Sequence, residues 1–138
     1  MKGRPDHYLL VGQTPVPCDD LLQWAMRFEI EERRVRLTRV GPYFVSTVFL
    51  GLDHNFSPKG PPLLFETMVF LETGEKHPNP LRSRSFLDHQ WRCATWPEAE
   101  KQHEAAVREV QQAHDDVEQI YPQPLEKLVP CFPGKKEL

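Results

Sequence analysis

Long apolar runs, a signal-peptide core and paired cysteines are all missing from this chain of 138 residues. No stretch approaches the roughly 18 apolar residues that a membrane-spanning helix requires. The first residues, MKGRPD, lack the apolar core of a secretory signal. The cysteines Cys18, Cys93 and Cys131 are odd in number and widely spaced, which argues against a disulfide framework. We therefore expect a cytoplasmic protein in a reducing compartment, with no membrane contact.

The chain also has no excess of positive charge. Its 17 lysines and arginines are outnumbered by 20 aspartates and glutamates, and the formal net charge is −3. A domain that grips duplex nucleic acid usually carries a clear positive excess. The composition therefore disfavours nucleic acid as a partner.

Signatures of the common enzyme classes are missing as well. There is no Walker-type phosphate loop, no G-x-G-x-x-G and no G-x-S-x-G in the sequence. The close ligand pairs H-E-x-x-H and C-x-x-C, which mark many zinc sites, are also not found. These absences disfavour catalysis, although they leave the question of an enzyme open.

The apolar residues that are present follow two different periods. Runs of β-branched and aromatic residues predict strands, above all at Tyr43–Leu50 and Leu63–Leu71, which a Gly- and Pro-rich loop at 51–62 connects. Helical spacing predicts one helix near the start of the chain, with an apolar face made of Leu21, Leu22, Trp24, Ala25 and Phe28. A second helix of about six turns is predicted to begin at the capping box Thr95-Trp96-Pro97-Glu98. Weaker strands are predicted at 7–11, 35–40 and 86–94, an extended turn at 14–17, and a flexible loop at 72–85.

These elements predict an α+β fold with an antiparallel sheet of about four strands and two helices packed on one face. Residues 1–120 are predicted to form a single domain, because the length suits one core. Residues 121–138 contain four prolines and are predicted to be an extended or disordered tail. The two strongest strands are apolar on both faces, so the second face of the sheet is expected to need its own cover, such as a partner chain.

One group of polar residues could form a pocket. Asp53 and His54 follow a predicted strand, Glu66 interrupts the next strand, and His103 lies on the apolar stripe of the long helix. If the helix crosses the hairpin, His54, Glu66 and His103 could meet and hold zinc or manganese as three N/O ligands. The alternative is that each is an ordinary hydrogen-bonded or ion-paired residue, which is the more common state of buried polar groups.

A second candidate is the arginine series Arg34, Arg36 and Arg39 on one predicted strand. Arginine forks suit phosphate and carboxylate oxygens, so the series could form an anion or partner patch. It could equally be a solvated strand face that discourages edge-to-edge pairing.

Two sequence blocks, VSTVFLGLDHNF at 45–56 and GPPLLFETMVF at 60–70, resemble a family of small uncharacterised proteins of tailed bacteriophages and prophages. Residues 95–99 with His103, and residues 17–20 with Trp24 and Phe28, are similar to the same family's closing and opening segments. The likeness covers about residues 8 to 110, and the chain departs from the pattern in its longer 72–90 segment and after residue 115. The resemblance implies a phage origin and a place in the host bacterial cytoplasm, and it implies no catalytic role.

These observations predict a small interaction protein that binds a host or phage macromolecule, for example to inhibit a host defence system. Self-association into a homodimer through the sheet is a simpler form of the same prediction. The alternative is a metal-dependent or small-molecule-binding protein with its site around His54, Glu66 and His103.

Overall fold

A computed structural model describes residues 3–71 and 91–120 of the chain. In chain order the strands and helices are β1 (Tyr8–Val11), β2 (Thr14–Pro17), α1 (Leu21–Ile30), β3 (Arg34–Val40), β4 (Tyr43–Phe49), β5 (Phe65–Leu71), β6 (Trp91–Cys93) and α2 (Trp96–Ile120). Strands β3 to β6 form one antiparallel sheet in the order β3-β4-β5-β6, and β1 and β2 form a separate hairpin. The predicted α+β class with a four-stranded antiparallel sheet is confirmed.

The two central strands of the sheet are the ones that the sequence indicates most strongly. In β4, residues alternate between buried and half-buried along the whole strand, because successive side chains point to opposite faces. Its register with β5 is regular, and Tyr43 lies opposite Leu71 at one end while Phe49 lies opposite Phe65 at the other. One face of β4 therefore lies in the core, and the other keeps contact with solvent.

Helix α2 covers the buried face of the sheet. It begins as predicted, because the Thr95 hydroxyl accepts a hydrogen bond from the Glu98 amide at 3.3 Å, and the Glu98 carboxylate accepts one from the Thr95 amide at 3.2 Å. Its apolar stripe contributes to two clusters of buried residues. The first cluster contains Val40, Tyr43, Val45, Val69, Ala106 and Val110, and the second contains Tyr8, Phe49, Leu64, Phe65, Cys93 and Ala99.

Helix α1 packs mainly against the β1–β2 hairpin. Asp20 caps its first turn by accepting a hydrogen bond from the Gln23 amide, and the Trp24 indole N–H donates to the Tyr8 carbonyl oxygen at 3.0 Å. The chain after β4 passes close to this helix, because a Cβ on Gly51 would lie 2.6 Å from the Phe28 ring. Gly51 also has a φ of 77°, which only glycine adopts readily. Both the lack of space for a Cβ and the backbone conformation therefore require glycine at this position.

One predicted element differs from the structure, and three lie wholly or partly outside the described residues. Residues 14–17 form strand β2 rather than a turn, since the proline φ suits an edge strand and the turn itself is made at Gly12. The predicted strand at 86–94 is confirmed for Trp91–Cys93. The predicted loop at 72–85, the start of that strand and the tail at 121–138 lie outside the described residues.

Candidate functional site

Asp53 organises the loop that follows β4. Its side chain is fully buried, and it accepts hydrogen bonds from the backbone amides of Asn55 and Leu63 at 2.8 and 3.0 Å. The Arg4 guanidinium forms an ion pair with the same carboxylate at 2.7 Å and also donates to the carbonyl oxygens of Asn55 and Ser57. The Asp53 carboxylate therefore holds the loop after β4 to the segment around Arg4, which is a structural role.

His54 lies beside Asp53 in the chain but takes no part in that network. Its Nδ1 donates to the Leu52 carbonyl oxygen at 2.9 Å, and its ring is 6.2 Å from that of Phe56. Phe56 itself is 80% exposed. His54 is therefore a half-buried residue of a surface loop, oriented by local contacts.

His103 is buried and hydrogen-bonded to two threonines, one of which is bonded to a third. Its Nδ1 is 2.7 Å from the Thr47 hydroxyl, its Nε2 is 2.7 Å from the Thr38 hydroxyl, and Thr47 is in turn 2.6 Å from the Thr67 hydroxyl. Burial and the nearby Arg36 guanidinium lower the pKa of His103 below its usual value, because both disfavour the imidazolium. A neutral imidazole can donate through one nitrogen and accept through the other, so both of its nitrogens are satisfied here.

Glu66 lies on the opposite side of the sheet from His103. Thr67 faces α2, and its neighbour Glu66 must point the other way because strand side chains alternate. The carboxylate is instead paired with Arg92, its cross-strand neighbour on β6, at 3.0 Å. The predicted meeting of His54, Glu66 and His103 is therefore not what the structure shows.

Other potential metal ligands are not grouped together either, within the part of the chain that the structure describes. Among the described residues, no three histidine, cysteine, aspartate or glutamate side chains are grouped so as to hold a metal ion. Cys93 is also a poor nucleophile, because burial and the charge of Glu98 raise the pKa of its thiol to about 11. The part of the chain that the structure describes therefore offers no grouped set of metal ligands, and Cys93 is poorly suited to nucleophilic attack.

The arginine series is divided between the two faces of the sheet. Arg34 lies opposite Val48 and Arg36 lies opposite Thr47, so a bulge at Val35 places two residues against one step of β4. Arg36 consequently points towards α2, where its guanidinium is 3.8 Å from both Glu100 and Glu104. The prediction of one three-arginine patch is corrected, since only Arg34 and Arg39 share a face.

The face of the sheet opposite α2 carries its own pattern, and we call it the open face. Its three rows across the strands are Arg34–Val48–Glu66–Arg92, Leu37–Ser46–Met68 and Arg39–Phe44–Phe70. All six residues that β4 and β5 place in these rows are half-buried, whereas their neighbours on the other face are buried. The open face therefore combines aromatic, aliphatic and arginine side chains in contact with solvent.

A second exposed apolar surface lies on α1. Leu21, Leu22, Met26 and Ile30 are 58%, 71%, 61% and 80% exposed, and no residue of this helix is buried. The sequence predicted that Leu21 and Leu22 would share a buried face with Trp24, but only the aromatic side of the helix contacts the hairpin. Met26 and Ile30 could have predicted this exposed surface from the sequence, because with them the helix has apolar residues on more sides than the hairpin can cover. We call this exposed surface the outer face of α1.

Small-molecule binding has little support in the cavity between α1 and the hairpin. That cavity, lined by Leu10, Phe28, Phe49 and their neighbours, has a volume of about 20 Å³. Ligand pockets usually occupy about 300 to 1,000 Å³, so this one has room for no more than a water molecule.

Comparisons with known proteins add no relative. No protein family, curated protein or solved structure matches this chain. The resemblance to small phage proteins therefore stays a prediction. Across the described residues, no helix has both the length and the apolar character needed to cross a membrane.

Proposed function

We propose that this chain is a binding protein that docks the outer face of α1 into an apolar groove on a protein of the phage or its host. The observation that carries the proposal is the exposure of four large apolar side chains on one ten-residue helix. Apolar groups clustered in this way mark interaction sites more often than isolated ones do.

The spacing of the exposed residues suits recognition by a groove. Leu22, Met26 and Ile30 are separated by four residues each, so they form one ridge along the helix, and Leu21 and Ala25 lie beside it. Helices that dock into apolar grooves use anchors with this spacing. Fully burying a leucine or methionine side chain contributes about 1.5 to 3 kcal/mol, so the three ridge residues contribute at most about 9 kcal/mol before the cost of association is subtracted.

The charges around the ridge indicate the chemistry of the partner. Asp19 and Asp20 precede the helix, Glu29 lies within the exposed arc and Glu32 follows it, and all four are exposed. Arg27 is already paired with Glu31 at 2.6 Å. A groove with a basic rim would complement this border and orient the helix.

A second copy of this chain suits the ridge less well. In a two-fold symmetric dimer the same residues face each other, so the acidic border of one copy, Glu29 included, would lie next to the same acidic border of the other copy. Burying an unpaired carboxylate there costs several kcal/mol. We therefore expect a different protein as the occupant, while the predicted homodimer becomes an outcome that the experiment must be able to detect.

The test compares two variants in pull-down and binding assays. Leu22→Asp combined with Met26→Asp places two carboxylates on the ridge, and the control Phe56→Asp places one carboxylate on an exposed apolar residue of the 51–62 loop. We expect a protein from infected host cells to be captured by wild type and by Phe56→Asp but lost with the double variant. With purified components, the double variant should weaken binding at least about a hundredfold, from the loss of two buried anchors.

The proposal is wrong if every protein captured depends equally on both variants, or if none depends on the ridge. It is also wrong if light scattering finds a dimer that the double variant converts to a monomer, because the ridge would then serve self-association. Identification of the partner by mass spectrometry would show whether it belongs to a host defence system, as the predicted role would require. The metal-dependent alternative has no comparable observation in its support.

A further inference from the structure

We infer that the open face of the sheet is the interface of a homodimer, in which two copies pack their sheets face to face about a two-fold axis parallel to the strands. This interface is separate from the outer face of α1 and does not depend on it. The homodimer predicted from the sequence thereby acquires a definite surface, symmetry axis and set of contacts.

The open face is more apolar than a sheet face in water usually is. Antiparallel strands with one solvated face normally alternate apolar and polar residues, with the polar ones on the outside. Leu37 on β3 is an apolar side chain of this face and is 43% exposed. Most of the open-face residues of β4 and β5 are also apolar, namely Phe44, Val48, Met68 and Phe70. A contiguous surface of this composition favours a protein partner.

The two inner strands complement each other in size across the axis. An axis that runs midway between β4 and β5 lays β4 of one copy over β5 of the other, row for row. Ser46 then meets Met68 of the other copy, so a small side chain lies opposite a large one at two equivalent places. Phe44 meets Phe70 of the other copy in the next row, where offset aromatic rings pack favourably. The pattern on these strands is therefore self-complementary.

The charged row of the open face also finds matching charges across this axis. Arg34 is exposed and forms no ion pair with any residue that the structure describes. The axis places β3 over β6 of the other copy, so Arg34 lies beside the other copy's pair of Glu66 and Arg92. A carboxylate accepts hydrogen bonds from two guanidiniums readily. Sheets that pack face to face cross at about 30°, which moves this row by roughly 3 Å, within the reach of an arginine side chain.

The other possible axis of a face-to-face dimer runs across the strands, and it fits less well. It would lay the row of Arg34, Glu66 and Arg92 over the row of Phe44 and Phe70. The charged groups would then lose their water against aromatic rings, which is unfavourable. The axis parallel to the strands instead places charged residues over charged residues and rings over rings. Its charged row lies at one end of the interface, where salt screens the charge that is left unbalanced.

The size of the open face determines how strong the dimer is. Four strands about 4.8 Å apart, with the five residues from Phe44 to Val48 at about 3.4 Å each, give a flat area of roughly 300 to 400 Å². A standard interface buries about 800 Å² on each partner, so this one is near the lower limit for specific association. We therefore expect a reversible dimer with a dissociation constant of about 10 to 100 µM.

The experiment exchanges the small residue and the large one. Analytical ultracentrifugation of the full chain measures the dissociation constants of wild type, Ser46→Met and Met68→Ser. Ser46→Met crowds two methionines together and Met68→Ser leaves a gap between two serines, so each variant alone should dimerise at least about tenfold more weakly. An equimolar mixture restores one small and one large residue at each contact and should dimerise within about threefold of wild type. Circular dichroism melts should show both variants folded.

Charge reversal supplies a second readout. Arg34→Glu replaces an attraction to Glu66 of the other copy by a repulsion at two equivalent places, and it should weaken the dimer roughly 5- to 30-fold. Arg108→Glu makes the same charge change at an exposed arginine of α2 and should alter the dissociation constant less than twofold. The ridge variant, Leu22→Asp with Met26→Asp, should leave the dimer intact, so failure of one proposal is distinguishable from failure of the other.

The inference fails if wild type remains monomeric up to about 500 µM, well above the expected dissociation constant. A mixture of Ser46→Met and Met68→Ser that dimerises no better than either variant alone would also refute it. Equal effects of Arg34→Glu and Arg108→Glu would overturn the contacts assigned to the charged row. A dimer that tolerates both sheet variants but is lost with the ridge variant would assign self-association to the outer face of α1 instead.

Discussion

Replacing Thr47 by valine tests whether the hydrogen-bonded network around His103 stabilises the fold. Valine keeps the shape of threonine but removes the hydroxyl that lies 2.6 Å from Thr67 and 2.7 Å from His103 Nδ1. Thr47, Thr67 and His103 are each at most 1% exposed, so water cannot replace the lost partner. Two buried polar atoms would be left unpaired.

The expected loss follows from those two atoms. An orphaned buried donor or acceptor costs about 1 to 3 kcal/mol. The Thr67 hydroxyl can rotate towards another acceptor, which recovers part of its share, so we expect a total of about 2 to 4 kcal/mol. For a chain of this size that corresponds to a fall of roughly 6 to 16 °C in melting temperature.

Urea denaturation followed by far-ultraviolet circular dichroism measures this loss. Ser46→Ala, at the neighbouring position on the open face, is the matched control and should stay within about 0.5 kcal/mol of wild type. Adding Thr67→Val and His103→Leu to Thr47→Val removes both orphaned groups and leaves the half-buried Thr38 hydroxyl to bond water, so this triple variant should regain much of the stability. A loss below about 1 kcal/mol for Thr47→Val, or a triple variant no better than the single one, would refute the reasoning.

Three more predictions concern other parts of the fold. Because the pKa of His103 is lowered in the folded chain, the unfolded chain binds a proton near pH 6.5 before the folded chain does, and the free energy of unfolding should fall as the pH drops below about 6.5. Urea denaturation at pH 7.5 and pH 5 measures this fall, and His103→Leu should lack the part of it that His103 contributes. Thr95→Ala removes the helix cap and should cost about 1 kcal/mol in thermal melts, whereas Thr14→Ala in β2 should cost less than half as much. Asp53→Ala leaves Arg4 without its ion pair and should cost about 2 to 4 kcal/mol; amide hydrogen exchange should accelerate in the 53–63 loop, and an unchanged loop would contradict the role assigned to the carboxylate.

Local sequence signals predicted most of the fold because they act over short distances. The β-branched and aromatic content of β4 and β5 predicted the central hairpin, and the pair Thr95 and Glu98 predicted the first turn of α2. Both features are decided by neighbouring residues, so tertiary context did not override them.

The candidate site was less predictable because it depends on which face of each element is covered. Glu66 and Thr67 alternate in the sequence, but nothing local shows which of them faces α2. The apolar residues of α1 likewise do not reveal that Trp24 would bond to β1 and Phe28 would lie against Gly51 while Leu22 remained exposed. The bulge at Val35 carries no glycine to mark it, so the alternation of arginines suggested a single patch.

The bulge at Val35 decides which side of the sheet Arg34 occupies. Because it adds one residue to β3, it lets Arg34 and Arg36 serve opposite surfaces while remaining only two positions apart. Deletion of Val35 would leave Arg34 opposite Val48 and Arg36 opposite Thr47 in regular pairing, so both arginines would keep their faces. A register shift that removed the bulge while keeping Val35 would instead place Arg34 opposite Phe49, on the side of the sheet that α2 covers.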